Sequence, residues 1–366
     1  MATDCTTSPA LDSKWKQSFR RRLLAWYAHH KRDLPWRKSQ DPYRVWVSEV
    51  MLQQTTVAAV KPFFERFLKQ FPNVEKLAAA DESQVLRLWE GLGYYRRARG
   101  LHAAANQVVA VHGGNFPRDV RTLQTLPGIG RYTAGAIASI AYNQRAPILE
   151  ANTIRLLARL LAYPGDPTKS AGQKLLWCTA EEILPRTNVA EFNQALMELG
   201  SLVCTPVNPR CDDCPVTQHC EAFQAGLQTK IPKAATKQKF TDLREAAVIV
   251  KKNRQVLIRQ CGPNERWAGL WDFPRFEITS EGPLFVREEL IAKVREQTGI
   301  TIEPGNLLTT IKHGVTRYRI TLDCYAAKFK SGRLTTKSKL RWIPPSELTQ
   351  LPLSTTGRKL ANLILR

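Results

Sequence analysis

Four cysteines between residues 204 and 220 constrain this chain more than any other feature, because Cys204, Cys211, Cys214 and Cys220 stand in the spacing C-x6-C-x2-C-x5-C. Such spacing closes three short loops around one point, which is how a polypeptide wraps a metal or a metal cluster. The pattern contains no histidine, and four thiolates suit iron–sulfur or zinc. Between the first two, Thr205-Pro-Val-Asn-Pro-Arg210 is too rich in turn residues to continue a helix or a strand. These cysteines are therefore expected as ligands rather than core residues, with a reduced thiol cluster as the plain alternative. Spacing alone leaves zinc open.

At 366 residues the chain is long for one core, so two domains are expected. Its 43% apolar and 23% charged residues describe a soluble globular protein, and no stretch reaches the apolar length of a membrane span. The N-terminal Met-Ala-Thr-Asp-Cys-Thr-Thr-Ser-Pro lacks the apolar core of a secretory signal, so a cytoplasmic protein is expected. Cys5, Cys178, Cys261 and Cys324 are scattered and fit reduced thiols in that compartment. Lys and Arg number 54 against 32 Asp and Glu, a formal net charge of +22. Folding does not need that excess; attraction to a polyanion, nucleic acid first, is the use it suggests.

Residues 1–14 are small and polar and read as a disordered tail. From Trp15, Phe19, Leu23, Leu24 and Tyr27 recur at helical steps, and Leu34-Pro-Trp-Arg37 ends that helix. A second helix is expected from about Tyr43 to Phe63. Asp81-Glu-Ser-Gln84 has the form of a capping box, and Leu126-Pro-Gly-Ile-Gly130 is a tight turn feeding a helix over Arg131–Tyr142. Further helices are expected at Thr153–Ala162, Gly172–Leu184 and Glu191–Leu202, so 15–228 reads as an all-α domain closed by the cysteine loop. Residues 229–240 are lysine-rich without apolar periodicity and read as a basic linker. Strands at Ala246–Val250, Val256–Ile258, Thr309–Lys312 and Tyr318–Tyr325, with one helix at Phe285–Thr298, make 241–366 an α+β domain.

Glu49 has Val45, Trp46, Leu52 and Gln53 as helical neighbours and no cation among them. Desolvation should raise its pKa and keep it protonated near neutrality, as a general acid requires; an exposed acid on a helix face is the bland reading. Glu150 precedes the helix that begins near Asn152, where free amides and the dipole favour the charged carboxylate; its bland reading is charge decoration. One acid tending neutral and one ionised suit a reaction through an oxocarbenium-like state. Gly128 and Gly130 place amides where a phosphate can approach, although a turn between helices also wants glycine for steric reasons. Gly91-Leu-Gly-Tyr94-Tyr-Arg-Arg97 suits wedging between bases and holding phosphates, or packing helix ends. A diphosphate hydrolase would want several glutamates for Mg2+ near Val294–Ile300, where only Glu296 stands.

Together, Leu34-Pro-Trp-Arg37, Val47-Ser-Glu-Val-Met-Leu-Gln-Gln-Thr55, Gly91-Leu-Gly-Tyr-Tyr95, Leu126-Pro-Gly-Ile-Gly-Arg-Tyr132 and Asn193-Gln-Ala-Leu-Met-Glu-Leu-Gly200 resemble the MutY family of adenine DNA glycosylases, in the endonuclease III superfamily of helix–hairpin–helix enzymes. The resemblance runs from about residue 15 to 365. It implies a helix–hairpin–helix glycosylase domain, a [4Fe–4S] cluster on the four cysteines, and a C-terminal Nudix-like domain that reads 8-oxoguanine. Glu49 would protonate adenine at N7 and later help activate water, and Glu150 would face the sugar cation. Tyr132 and Asn152 would line the pocket of the extruded nucleotide, while Gln54 and Tyr94 would enter the duplex. Gly128 and Gly130 would bind phosphate through their amides, and Trp36 and Arg37 belong with the expected DNA-binding residues. The implied substrate is double-stranded DNA with adenine opposite 8-oxoguanine or guanine, met by a nucleoid-associated monomer.

Members that also cut the strand carry a lysine where this chain has Tyr132, so the resemblance implies a monofunctional enzyme. A glycosylase/lyase and a non-catalytic iron–sulfur DNA-binding protein are the alternatives. The family's Asp-Gly-Asn is here Glu150-Ala-Asn152, which lengthens the carboxylate arm. Its Phe-Ser-His loop is here Val315-Thr-Arg317, leaving Thr316 to read the oxidised base. The Nudix box, Ala292–Ile300, has lost most of its acids, so hydrolysis of nucleoside diphosphate derivatives is not expected.

Overall fold

The computed structural model describes residues 11–233, 239–336 and 338–365. Most of the expected N-terminal tail and the middle of the expected linker, 234–238, lie outside the described residues. The chain divides into two compact units, residues 1–79 with 100–236, and residues 80–99 with 237–366.

The first unit opens with α1 (Ser13–His30), α2 (Pro42–Leu52), α3 (Val57–Gln70) and α4 (Val74–Ala78). Asp12 caps α1 by accepting from the amides of Lys14 and Trp15, and Phe19, Leu23 and Tyr27 are its buried stripe. The helix expected over Tyr43–Phe63 is two helices. Gln54 takes a left-handed φ of 56°, and Thr56 caps α3 by accepting from the amide of Ala59, so the chain breaks between them. After α5 (Glu82–Trp89), which is part of the second unit, and α6 (Arg96–His112) come α7 (Val120–Leu123) and α8 (Arg131–Tyr142), the two arms of a helical hairpin. α9 (Ala151–Leu160), α10 (Ser170–Ile183), α11 (Val189–Leu202) and the short α12 (Glu221–Gln224) complete this part. α11 packs against α1, α8 and α9, and Leu196, Leu199, Leu157 and Phe19 meet in the core around it.

The second unit holds β1 (Thr241–Lys252), β2 (Gln255–Gln260), β3 (Trp271–Asp272), β4 (Arg275–Glu277), β5 (Ile300–Val315), β6 (Tyr318–Gly332) and β7 (Leu340–Ile343), with α13 (Pro283–Thr298) and α14 (Thr355–Leu365). They form one mixed sheet in the order β3-β2-β1-β6-β5, in which β1 and β6 run parallel. Successive residues of the central β1 face opposite ways: Ala246, Val248 and Val250 meet Leu290 and Val294 of α13, whereas Ala247 and Ile249 meet Leu360 and Ala361 of α14. A strand covered on both faces must be apolar throughout, which is why Ala246–Val250 reads as an unbroken apolar run. The expected strands Thr309–Lys312 and Tyr318–Tyr325 are parts of one longer hairpin, β5–β6.

Residues 80–99, expected within the helical domain, belong to the second unit because Arg87, Tyr95 and Glu90 bond Thr349, Leu353 and Arg358. Cys261 and Cys324 are free thiols, as expected, but Cys178 is disulfide-bonded, a pairing that scattered positions cannot reveal. Among the described residues no helix is long and apolar enough to cross a membrane.

Candidate active site

α2 is buried from Tyr43 to Met51 apart from Arg44, so Glu49 enters the interior with it and is 6% exposed. Tyr132, in the first turn of α8, donates its hydroxyl to Glu49 Oε2, and Met197 Sδ of α11 lies 3.5 Å from that hydroxyl. Burial pushes the Glu49 carboxyl up to about 7; the Tyr132 hydrogen bond opposes it, the charge of Glu150 adds to it, and the Arg37 cation opposes it. The Tyr132 phenol is itself raised well above its ordinary value, by burial first and then by Glu49 and Glu150. It therefore stays a donor. A carboxyl near 7 exists in both forms at neutral pH and can give a proton to a leaving group and later take one from water.

Glu150 is the N-cap of α9. Its Oε1 accepts from the Thr153 amide at 2.9 Å, and its Oε2 accepts from the Asn152 amide at 2.9 Å and Asn152 Nδ2 at 3.1 Å. The expectation that amides and the helix dipole favour the charged carboxylate names only one side of the balance. Desolvation of the half-buried Glu150 carboxyl outweighs these donors, so its pKa is raised rather than lowered. Asn152 is fixed in turn by Arg155, which donates to Asn152 Oδ1 at 2.9 Å, Gly200 O at 2.7 Å and Cys204 O at 2.7 Å. α11 comes very close here: a Cβ on Gly200 would stand 2.8 Å from Asn152 Cβ and 2.9 Å from Asn152 O. One turn further along α9, Arg159 is 2% exposed and donates to Thr205 O at 2.8 Å, to Ile231 O at 2.8 Å and to Cys204 Sγ at 3.2 Å. α9 thus carries an acid at its head and grips the cysteine loop along its side.

Cys204, Cys211, Cys214 and Cys220 line one cavity walled by Leu156, Leu160, Val203 and Val216. Among the described residues no three Cys, His, Asp or Glu side chains converge closely enough to hold one ion. Four sulfur donors around one apolar cavity fit a [4Fe–4S] cluster, which these cysteines would hold. The Arg159 cation beside Cys204 suits thiolate ligands.

The residues expected at DNA fall into two groups. Gln54, Tyr94 and Thr316 are exposed, and all three take left-handed φ, at 56°, 48° and 49°. Non-glycine residues rarely do so, and such strain gathers at ligand-contacting positions. Thr316 sits at the turn of the β5–β6 hairpin, its hydroxyl donating to Val315 O at 2.8 Å. Gly128 (φ 76°) and Gly130 are exposed at the hairpin turn while Ile129 is buried at 4%, and no side chain caps the start of α8. Trp36 and Arg37 differ. Trp36 is 7% exposed and packs edge-on against Phe64, and Arg37 donates to Glu198 Oε2 at 2.7 Å. Trp36 is thus buried, and Arg37 is half-buried with its guanidinium paired to Glu198. Arg32 bonds the same carboxylate through two nitrogens, at 2.7 and 2.8 Å. Against the burial that would raise it, these arginines hold Glu198 down to about 2. Arg32 and Glu198 went unread in the sequence; an acid inside the apolar run Ala195-Leu-Met-Glu-Leu199 was the available signal.

Comparison with known proteins fits this geometry. Residues 47–182 match the HhH-GPD superfamily of base excision DNA repair proteins, residues 204–220 the iron–sulfur binding domain of endonuclease III, and residues 245–363 the NUDIX domain. The chain is 42% identical over 301 residues to the adenine DNA glycosylase of Rattus norvegicus, covering 80% of this chain and 57% of the rat protein. It is 37% identical over 260 residues to the adenine DNA glycosylase of Buchnera aphidicola from Schizaphis graminum, covering 71% of this chain and 75% of that one. Against the mouse and human adenine DNA glycosylases it spans 51% and 49% of their length, so it is about half of the mammalian proteins it matches. Among solved structures, a thermostable thymine-DNA glycosylase superposes with a TM-score of 0.54 at 28% identity, covering 58% of this chain and 98% of that one. An endonuclease III–DNA complex shares the fold at a TM-score of 0.50 and 19% identity, covering 60% of this chain and 99% of that one.

Proposed function

Since the chain belongs to the family of adenine DNA glycosylases, we propose that it hydrolyses the N-glycosidic bond of adenine in duplex DNA, with adenine opposite 8-oxoguanine or guanine as the substrate. The buried Glu49–Tyr132 pair carries this reading, with Glu150 close enough to act on Glu49 by charge. Tyr132 occupies one Glu49 oxygen and leaves the other to deliver the proton. Glu49 protonates adenine at N7, the C1′–N9 electrons leave with the base, and positive charge develops on the sugar. A cation beside Glu150 lowers its pKa, so the carboxylate held by three N–H donors is ionised when the sugar needs it. Glu49, now a carboxylate, takes a proton from the water whose oxygen bonds C1′.

The duplex is opened by Gln54 and Tyr94, phosphate lies on the amides of Gly128 and Gly130, and Thr316 reads the opposite base. Extruding a mispaired base costs only a few kcal/mol, because its stacking and pairing are already weakened. The cluster, when bound, crosslinks the 204–220 loop through its four cysteines.

Single-turnover excision on a duplex with one adenine:8-oxoguanine pair tests this. Glu49→Gln should slow excision by at least about a thousandfold while leaving duplex affinity within about twofold, since the amide keeps the shape and adds no positive charge. Turnover retained in that variant removes Glu49 from the mechanism. Tyr132 supplies no amine, so borohydride added to enzyme and abasic DNA should trap no covalent adduct; a trapped adduct would make the protein a glycosylase/lyase.

A further inference from the structure

Residues 91–95 leave α5 through three left-handed positions, Gly91 (φ 102°), Gly93 (φ 70°) and Tyr94 (φ 48°). A tyrosine keeps such a conformation only where its surroundings over-determine it. Trp89 Nε1 donates to Gly93 O at 3.1 Å, and Arg97 donates to Leu92 O and Gly93 O at 3.3 Å each, its guanidinium 5.4 Å from the centre of the Tyr94 ring. The adjacent tyrosines face opposite ways. Tyr94 is 51% exposed and Tyr95 is 8% exposed, the latter donating its hydroxyl to Leu353 O at 3.4 Å.

Glu90 closes α5 just before this loop, and its carboxylate side chain is 8% exposed. Arg358 of α14 grips it with two bonds, Nε to Oε1 at 2.6 Å and a terminal nitrogen to Oε2 at 3.0 Å. The Leu353 amide adds a third bond to the carboxylate at 3.3 Å, and Arg87 of the same helix a longer fourth at 3.4 Å. Arg358 also donates to Leu348 O at 2.6 Å and to Leu351 O at 2.7 Å. A two-point guanidinium–carboxylate pair fixes orientation as well as distance, and this one stands at the entry to the strained loop. We infer that Arg358 is a positioning residue for Tyr94, acting through Glu90 to hold the 91–95 loop so that Tyr94 is presented to the duplex. The task assigned to Tyr94 rests on the function proposed above; the brace on the loop does not.

Full-length, cluster-loaded protein is compared as wild type, Tyr94→Ala, Arg358→Gln and the double variant. The substrate is a duplex with 2-aminopurine beside the target adenine, whose fluorescence rises when its neighbour unstacks. Amide hydrogen exchange of residues 91–95 is followed in parallel on the free protein. Arg358→Gln should speed exchange in 91–95 by about tenfold or more and leave α2 and α8 as in wild type. Arg358→Gln and Tyr94→Ala should each cut the fluorescence rise and the single-turnover rate by on the order of tenfold, and the double variant should lose no more than Tyr94→Ala alone.

Unchanged loop exchange overturns the brace. Additive losses in the double variant overturn action through Tyr94 and leave Arg358 a general stability residue. A full fluorescence rise in Tyr94→Ala, alongside faster exchange in Arg358→Gln, overturns the wedge task and with it the positioning role, while the brace stands. If Arg358→Gln does not fold, Arg358→Lys, which keeps the charge and loses the second bond, serves in the same comparison.

Discussion

A carboxyl that titrates at about 7 in the buried middle of α2 ties the rate and the stability of this protein to one proton. If Glu49 must be protonated to expel the base, single-turnover excision falls about tenfold per pH unit above 7, and a profile from pH 6 to 9 shows the break. The stability effect has a lower window, between the unfolded and the folded pKa. Glu49 holds its proton more firmly folded than unfolded, so its contribution is full below the ordinary carboxylate range near 4.5 and is lost as pH rises through about 7. Glu49→Gln cannot ionise, so relative to wild type it should gain about 3 kcal/mol between pH 4.5 and pH 8, read as urea midpoints at both pH values. An equal offset at both would mean that Glu49 is not buried neutral. The Glu49 environment was half legible: a helix turn without a cation announces desolvation, but Arg37 acts on it from another element, and sequence neighbours do not show that. Glu150 misleads for the same reason. Its donors are written beside it in Asn152 and Thr153, whereas the burial that outweighs them is made by the rest of the fold.

Helix by helix, what decides the site is how closely α9 and α11 approach. Gly200 lets the α11 backbone rest on Asn152, and Gly200→Ala would put a methyl carbon within 2.8 Å of Asn152 Cβ and 2.9 Å of its carbonyl oxygen. Both atoms lie in the first turn of α9, so relief requires that turn to shift, and Glu150 rides on it. The variant should lose about 1–3 kcal/mol of stability by urea unfolding and a larger share of excision than of duplex affinity. A wild-type rate in that variant would show that the head of α9 tolerates displacement. Among elements, α8 was readable to its ends because Gly130 opens it and Asn143, at φ 50°, closes it. The break between α2 and α3 was not, since Gln53-Gln-Thr55 fits a helix in residue type and only the left-handed Gln54 shows otherwise. The cysteine loop was read as a metal site from spacing, but its hold on α9 through Arg155 and Arg159 is a tertiary fact. Two arginines four residues apart on a helix look, in sequence, like an exposed face.

At the scale of the whole molecule, the surplus of 54 cationic over 32 anionic side chains makes a claim separable from the chemistry. Both units have cores of their own, so the surplus is not needed to hold them together, and Glu49, the carboxyl proposed to deliver the proton, is buried away from bulk salt. The sequence changes texture near residue 229, but it does not show the contacts of residues 80–99, whose partners lie more than 250 positions away, as in Arg87 with Thr349 and Glu90 with Arg358. If the surplus is spent on DNA phosphates, binding releases counterions, and affinity falls linearly on a log–log plot against salt. Six to ten phosphate contacts would weaken binding by about a thousandfold to a hundred-thousandfold between roughly 50 and 200 mM salt. With protein held far above its dissociation constant at every salt concentration, the single-turnover excision rate should stay within about twofold, because screening acts on exposed charge and hardly on Glu49 at 6% exposure. Titrations of one duplex by anisotropy, paired with saturating excision assays over the same salt series, separate the two effects. An affinity indifferent to salt would mean that the positive charge faces something other than DNA, and an excision rate that fell with salt at saturation would place the reacting carboxyls in contact with solvent ions.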